Sequence, residues 1–335
     1  MKSMKKFLVL AFTVALVIGL VACGGGNQQA SGGGGGGAGG EDLTFVIVPK
    51  VVHEWFDAVT TGAVAQADIL SAQMGRKVTI DYRAPQAGDV QEQNRIMEQA
   101  AATKPHGIAL DPLDWTGNQA VVAEIQAQGV PVIFFDARVP GSGIMGVTSD
   151  MAEQARLNTA KMAELLGPEG GKVAIQHGIP TASNHDERYQ AMKAKLAEYP
   201  QIEVVEAPPG MDDIAISQTG AAATIAANPD LRGFLNVDAA APVGQAAAVE
   251  EAGKAGEIII VGAENMVQIY DYIQKGTIVG GYSVPAVMYG ELIVTILYHI
   301  NVCASGTYPI EIDGGLTYID ASNVQTFIDI ANAMK

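Results

Sequence analysis

Two successive series of about five apolar, strand-like runs, each followed by an amphipathic helical stretch, predict an α/β protein made of two doubly wound parallel-sheet lobes. The length agrees, since 335 residues at about 150 per domain make two domains. The strands agree as well. IIIVG (258–262) and PVIFFD (131–136) are apolar or nearly so throughout, as expected where helices cover both faces of a parallel sheet.

In the first series, strands are expected at 45–49, 78–82, 107–111, 132–136 and 144–147. The second series places them at 172–177, 202–205, 233–238, 258–262 and 278–282. Helices are expected between them at 54–71, 89–102, 116–128, 151–166, 184–198, 214–227 and 241–253. In the first of these, Phe56, Val59, Ala63, Ala67 and Leu70 recur at the 3–4 spacing of one buried face. The chain could first leave one lobe for the other at Gly141-Ser142-Gly143 or around Ser149-Asp150. No third pattern appears, and nothing resembles a helix-turn-helix.

The N-terminus is not part of either lobe. Lys2, Lys5 and Lys6 precede an apolar run over 7–22, too short for a spanning helix and suited to a secretory signal over 1–22. The run ends in Leu20-Val21-Ala22-Cys23, which resembles the bacterial lipobox and implies lipidation of Cys23; an ordinary signal or an uncleaved anchor is the other reading. Residues 23–42 form a tether, with eleven glycines between 24 and 40. Gly32, Gly34 and Gly37 fit GxGxxG, but no strand precedes them and no helix follows, so a dinucleotide site is excluded. Cys303, in the apolar run ELIVTILYHINVCASG, is expected to be a buried, inert thiol. With 36 acids against 20 bases, the net charge of −16 makes nucleic acid and anionic lipid poor partners.

In open α/β sheets, ligands bind beyond the carboxyl ends of the strands. The first strand is followed there by Lys50, His53, Trp55 and Phe56, the third by Asp111, Asp114 and Trp115, and the fourth by Asp136 and Arg138. The second series supplies Ser183, Asn184 and His185, then Asp238, then Glu264 with Asn265, then Ser283. A polyhydroxylated ligand packs its C–H faces on aromatic rings, and its hydroxyls both donate to and accept from planar polar groups. Each residue also has a plainer reading. Trp55 and Phe56 could be core, Asp111 and Asp136 turn caps, Arg138 a solvated cation, and His53 and His185 structural. Together they point to a pocket.

Enzyme readings are thin. His53-Glu54 begins an HExxH motif whose second His is missing, and there is no GxSxG, CxxC or P-loop, so no metal or cofactor is expected.

The lipobox, the tether, the two α/β lobes and the strand-end residues together resemble a sugar-type (type I) periplasmic binding protein of an ABC importer. The resemblance runs over 43–335 and is carried by VPK…WFD, KPHGIALDPLD, GVPVIFFDARVP and IIIVGAEN…GTIVGGYSVPAVMYGEL. It implies a three-crossing hinge near 147–150, 282–285 and 312–316. One lobe would take 43–148 plus 284–313, and the other 149–283 plus 314–335. Relative to ribose-binding members, Asp111 replaces an Asn, Glu264 an Asp and Ser283 a Gln, Asp-Arg is stretched to Asp136-Ala137-Arg138, and the usual second-lobe Arg has no clear match. Lys50 resembles the lysine that follows the first strand in autoinducer-2 and rhamnose-type binders, and Asn184-His185 and Asp238-Ala239 fall where the autoinducer-2 binders use Asp-Gln and Pro-Asp-Ala. The implied ligand is a pentose, a deoxysugar, a sugar alcohol or autoinducer-2, held without chemistry by a monomer. The implied partner is an ABC permease, or else a chemoreceptor or histidine kinase. The implied location is extracytoplasmic, anchored by acyl chains on Cys23.

Overall fold

The computed structural model describes residues 40–262, 264–303 and 309–333. The leader, Cys23 and the tether up to residue 39 lie outside these residues. In chain order, the first lobe is built from β1 (Leu43–Val48), α1 (Glu54–Met74), β2 (Val78–Tyr82), α2 (Val90–Ala102), β3 (Gly107–Leu110), α3 (Trp115–Ala127), β4 (Val132–Phe135) and β5 (Gly146–Thr148). The second takes α4 (Met151–Leu166), β6 (Gly171–Gln176), α5 (Ser183–Leu196), β7 (Ile202–Ala207), α6 (Ile214–Ala227), β8 (Leu231–Asn236), α7 (Ala241–Glu251), β9 (Ile259–Val261), α8 (Val267–Lys275) and β10 (Gly280–Ser283). The chain then returns through α9 (Ala286–Val302) and β11 (Glu311–Asp313) to the first sheet, and finishes in the second with β12 (Thr317–Asp320) and α10 (Val324–Ala333).

Both sheets have six strands. Their orders are β11-β5-β4-β3-β1-β2 and β12-β10-β9-β8-β6-β7, the same winding twice. Every pairing is parallel except that of β12 with β10, where Tyr282 faces Tyr318 with ring centroids 5.0 Å apart. The edge strands β11 and β12 are three and four residues long and only partly buried. They carry no apolar run for a sequence reading to find.

The chain passes between the sheets three times, after β5, after β10 and after β11. Gly141 and Gly143 are not at a passage, because they lie in the loop joining β4 to β5 within one sheet. A hydrogen-bond chain ties the three passages together. Tyr289, one turn into α9, donates to Ser149 Oγ at 2.7 Å, and Ser149 donates to the Gly315 carbonyl at 2.8 Å. Tyr289 is fully buried.

Strands β3, β4 and most of β1 are buried on both faces, which is why they read as continuous apolar runs. On α1 the buried stripe is Trp55, Phe56, Val59, Ala63, Ala67 and Leu70. Cys303 departs from expectation. It caps the C-terminus of α9, beyond the buried Tyr289, Ile293, Ile296 and Leu297 face, and it is exposed.

Helices α1 and α9 pack closely enough that two glycines decide the contact. A Cβ on Gly290 would sit 1.9 Å from the Val59 carbonyl oxygen, and one on Gly62 would sit 2.0 Å from that of Val287. Alanine is the better helix former by up to about 1 kcal/mol, but overpacking costs about 1–3 kcal/mol, and here the obstacle is backbone. Gly290→Ala is therefore expected to lower stability by at least about 1 kcal/mol in denaturant titration. A rise would mean that this contact is loose.

Candidate functional site

The carboxyl ends of the two sheets face one another, and their loops enclose a cavity with about 290 Å³ of atom-free space, its mouth included. Its lining comes from both lobes: Lys50, His53, Trp55, Phe56 and Asp136 from the first, and Asn184, His185, Arg188, Asp212, Asp238, Ala239 and Glu264 from the second. The strands end one or two residues earlier than their apolar patterns, so Asp111, Asp136 and Asp238 stand just past β3, β4 and β8. Asp136 takes a left-handed conformation, φ 58°, uncommon for any residue but glycine. Its carbonyl is held by the Thr148 hydroxyl at 2.8 Å.

One ammonium organises the first lobe's wall. Lys50 Nζ lies 3.1 Å from Asp111 Oδ2 and 3.1 Å from Asp136 Oδ2, with side chains that are 2%, 0% and 6% exposed respectively. It also donates to Asn184 Oδ1 of the other lobe at 3.3 Å, and the Asn184 amide donates to Asp136. Burial by itself would lower the Lys50 pKa, but Asp111, Asp136 and Asp212 outweigh it and hold the ammonium charged. Burial pushes Asp111 up to about 8, against the pull of Lys50. Phe56 lies 5.9 Å below the ammonium, and its ring meets Trp55 edge-on at 5.1 Å.

The second wall is built around Glu264. It accepts from Trp55 Nε1 at 3.3 Å, from Gln154 Nε2 at 3.0 Å and from Ser283 Oγ at 3.3 Å, with Arg188 3.6 Å away. Burial pushes its carboxyl up to about 7 despite Arg188 and Gln154. Ser283 thus stands behind Glu264 and does not line the cavity itself. His185 is fully buried and its Nδ1 accepts from the Ile179 N–H at 2.9 Å. Burial, with help from Lys50 and Arg188, holds it well below the usual histidine range, so it is a neutral ring with its proton on Nε2. His53 caps α1 by accepting from the Trp55 N–H at 3.1 Å, while its buried Nε2 has no hydrogen-bond partner among the described residues.

Besides Ser283, three residues expected at the pocket do not line it. Asp111 is fully buried beyond Lys50, which stands between it and the cavity's acids. Asp114 caps α3, accepting from the Thr116 N–H at 3.0 Å, and does not line the cavity. Arg138 turns to the outer edge of the first sheet, where it donates to the Ser149 carbonyl at 3.2 Å and lies 3.7 Å from Glu311 and 3.9 Å from Asp150. The left-handed step at Asp136 aims that carboxylate inward and sends the following residues outward. Three lining or supporting residues escaped the sequence reading. Arg188 follows Asn184 by one helical turn and precedes Met192 by another, a 3.6-residue stripe that would have revealed it. Gln154 has the same kind of signal on α4. Asp212 lies five residues past the end of β7, nearer than Trp55 is to the end of β1, and its position at that strand end is the signal that would have found it.

The lobes touch directly around the cavity. Besides the Lys50–Asn184–Asp136 bonds and the Trp55–Glu264 bond, Ser183 Oγ donates to the Arg138 carbonyl at 2.8 Å. Leu113 meets Ile179 and Ala182 in a small apolar cluster supported by Val90.

The buried acids make stability depend on pH. A carboxyl whose pKa is higher in the folded chain than in the unfolded one binds an extra proton on folding, so its contribution is present at low pH and is lost as pH rises through the folded value. Asp111, at about 8, and Glu264 and Asp238, at about 7, all have this sign. The melting temperature of the ligand-free protein is therefore expected to rise as the pH is lowered from about 9 to about 7, the window set by those values, and Asp111→Asn should flatten the rise. A flat or opposite profile in the parent protein contradicts the assignment.

The model of the periplasmic binding protein domain family matches residues 44–301. The D-apiose import binding protein of Actinobacillus succinogenes is 23% identical over 241 residues, 71% of this chain and 74% of the relative. The D-allose-binding periplasmic protein of Escherichia coli is 24% identical over 208 residues, 59% of this chain and 67% of the relative. Among solved structures, an ABC transporter solute-binding protein of Burkholderia graminis in complex with D-arabinose superposes with a TM-score of 0.78 at 25% identity, over 85% of this chain and 98% of the other. A sugar-binding protein of a sugar ABC transporter from Bacillus halodurans gives 0.73 at 26% identity, over 85% and 100%. These relatives are binding proteins, three of them of import or ABC transport systems, not enzymes. Two doubly wound lobes joined by three strand passages, closing on a polar and aromatic cavity, fit that company, and the chain belongs to the periplasmic binding protein family.

Proposed function

We propose that this chain captures a monosaccharide-sized sugar between its lobes and delivers it to an ABC permease from the extracytoplasmic side of the membrane. The observation that carries this reading is the composition of the inter-lobe cavity. Two aromatic rings, four carboxylates, two cations, an amide and two imidazoles converge on one small space. Such groups match hydroxyls that donate and accept in fixed directions, with a ring face for the sugar's C–H surface. Relatives that bind allose, import apiose or hold arabinose support a pentose or hexose over other polyols.

Binding needs no chemistry. A ligand that bridges Asp136 and Trp55 on one side with Asn184, Arg188 and Glu264 on the other adds free energy only to the closed arrangement, and so shifts the lobe equilibrium toward it. A permease that reads the closed form would then discriminate loaded from empty protein. Cys23, lipidated after removal of residues 1–22, would hold the protein at the membrane, and the Gly-rich tether would leave the lobes free to turn.

Calorimetry with a panel of aldopentoses and aldohexoses tests the reading. Asp136→Ala and Trp55→Ala are each expected to weaken the tightest sugar at least ~10-fold, equivalent to about 1.4 kcal/mol. Unchanged affinity in both folded variants would reduce them to structural roles and remove the cavity as the binding site.

A further inference from the structure

The charges lining the cavity do not balance, and the imbalance has an address. Lys50 is shared by Asp111 and Asp136. Arg188 is taken up by Glu264 at 3.6 Å, by Gln154 through its Nε, and by the Val237 carbonyl at 3.4 Å. His185 is a neutral ring held in place by the Ile179 N–H. Asp212 and Asp238 are left over. They are 7% and 4% exposed, both line the cavity, and neither has a salt-bridge partner within 4 Å among the described residues.

Among the described residues, each of these carboxylates keeps one oxygen without a hydrogen-bond partner, Asp212 Oδ1 and Asp238 Oδ2. The other Asp238 oxygen accepts from the Ala241 N–H at 2.7 Å, which fixes the group at the start of α7. Asp212 is held in a left-handed conformation, φ 55°, next to Met211 at φ 56°, two such non-glycine residues in succession. The groups facing the pair from neighbouring elements are Lys50, His185 and Arg188, and burial together with Asp212 pushes Asp238 up to about 7.

A hydroxyl could donate to either free oxygen but brings no positive charge to two buried acids whose facing cations, Lys50 and Arg188, lie closer to Asp111, Asp136 and Glu264. An ammonium brings three donors and the missing positive charge. No group of three His, Cys, Asp or Glu among the described residues could hold a metal ion, so an organic cation fits better than a metal. We propose that Asp212 and Asp238 form an ammonium-accepting subsite and that the ligand is an amino sugar, a monosaccharide with one hydroxyl replaced by a protonated amine. The inference rests on the sugar-binding reading and narrows it.

The test is titration calorimetry at neutral pH with D-glucosamine, D-galactosamine and D-mannosamine, each against its parent D-glucose, D-galactose or D-mannose. At least one amino sugar is expected to bind ~10-fold or more tighter than its parent, equivalent to about 1.4 kcal/mol. Its binding enthalpy should vary with the ionisation enthalpy of the buffer, because the acid pair gives up a proton as the ammonium enters. Asp212→Asn retains a residue that tolerates the left-handed backbone and is expected to bring the amino-to-parent affinity ratio close to one. If a neutral sugar binds and its amino analogue binds equally or more weakly, the inference fails while the sugar reading stands. If no sugar of either kind binds, both fail.

Discussion

A single buried ammonium sets the geometry of the whole cleft. Lys50 follows β1, one strand in from the β2 edge of the first sheet, and reaches carboxylates that follow the two next strands in the sheet, β3 and β4. Removing one partner from such a buried set leaves an uncompensated charge, which costs about 3–5 kcal/mol, so the three strand ends are held in mutual register. Asn184 extends the same set across the cleft, bonding both Lys50 and Asp136. One charge therefore shapes the wall of one lobe and also gives the opposite lobe something to close upon.

A second bond across the cleft runs from Trp55 to Glu264, and Trp55 in turn packs edge-on against Tyr289 at 6.1 Å. Tyr289 heads the hydrogen-bond chain through Ser149 to Gly315 that ties the three passages together. The cavity and the hinge thus share side chains. A ligand that pulls Glu264 toward Trp55 acts on the ring that rests against the hinge, so rotation of the lobes and occupancy of the cavity are mechanically linked.

Much of this was legible in the sequence, for a reason that also marks the limit. Strands covered by helices on both faces must be apolar throughout, so FVIV, GIAL and VIFF announce themselves, and polar residues immediately after them in such a fold face the cleft. Lys50, Trp55, Asp136, Asn184, Asp238 and Glu264 were found that way. The edge strands β11 and β12 were not, since they are short and only partly buried. Arg138 was misplaced because a left-handed residue, invisible in composition, redirects the chain at Asp136. Asp212 was missed because β7 is an edge strand exposed along much of its length, so the run itself carried no signal of a buried wall beyond it.

A binding cleft closed by its ligand must bring the lobes into direct contact in the closed arrangement. X-ray scattering from the mature protein, alone and with a saturating concentration of the sugar that calorimetry ranks tightest, tests it most directly. The account predicts a smaller radius of gyration in the presence of the sugar, as rotation about the three passages brings Asn184 and Glu264 onto Asp136 and Trp55. Superimposable curves with and without a bound sugar would contradict it.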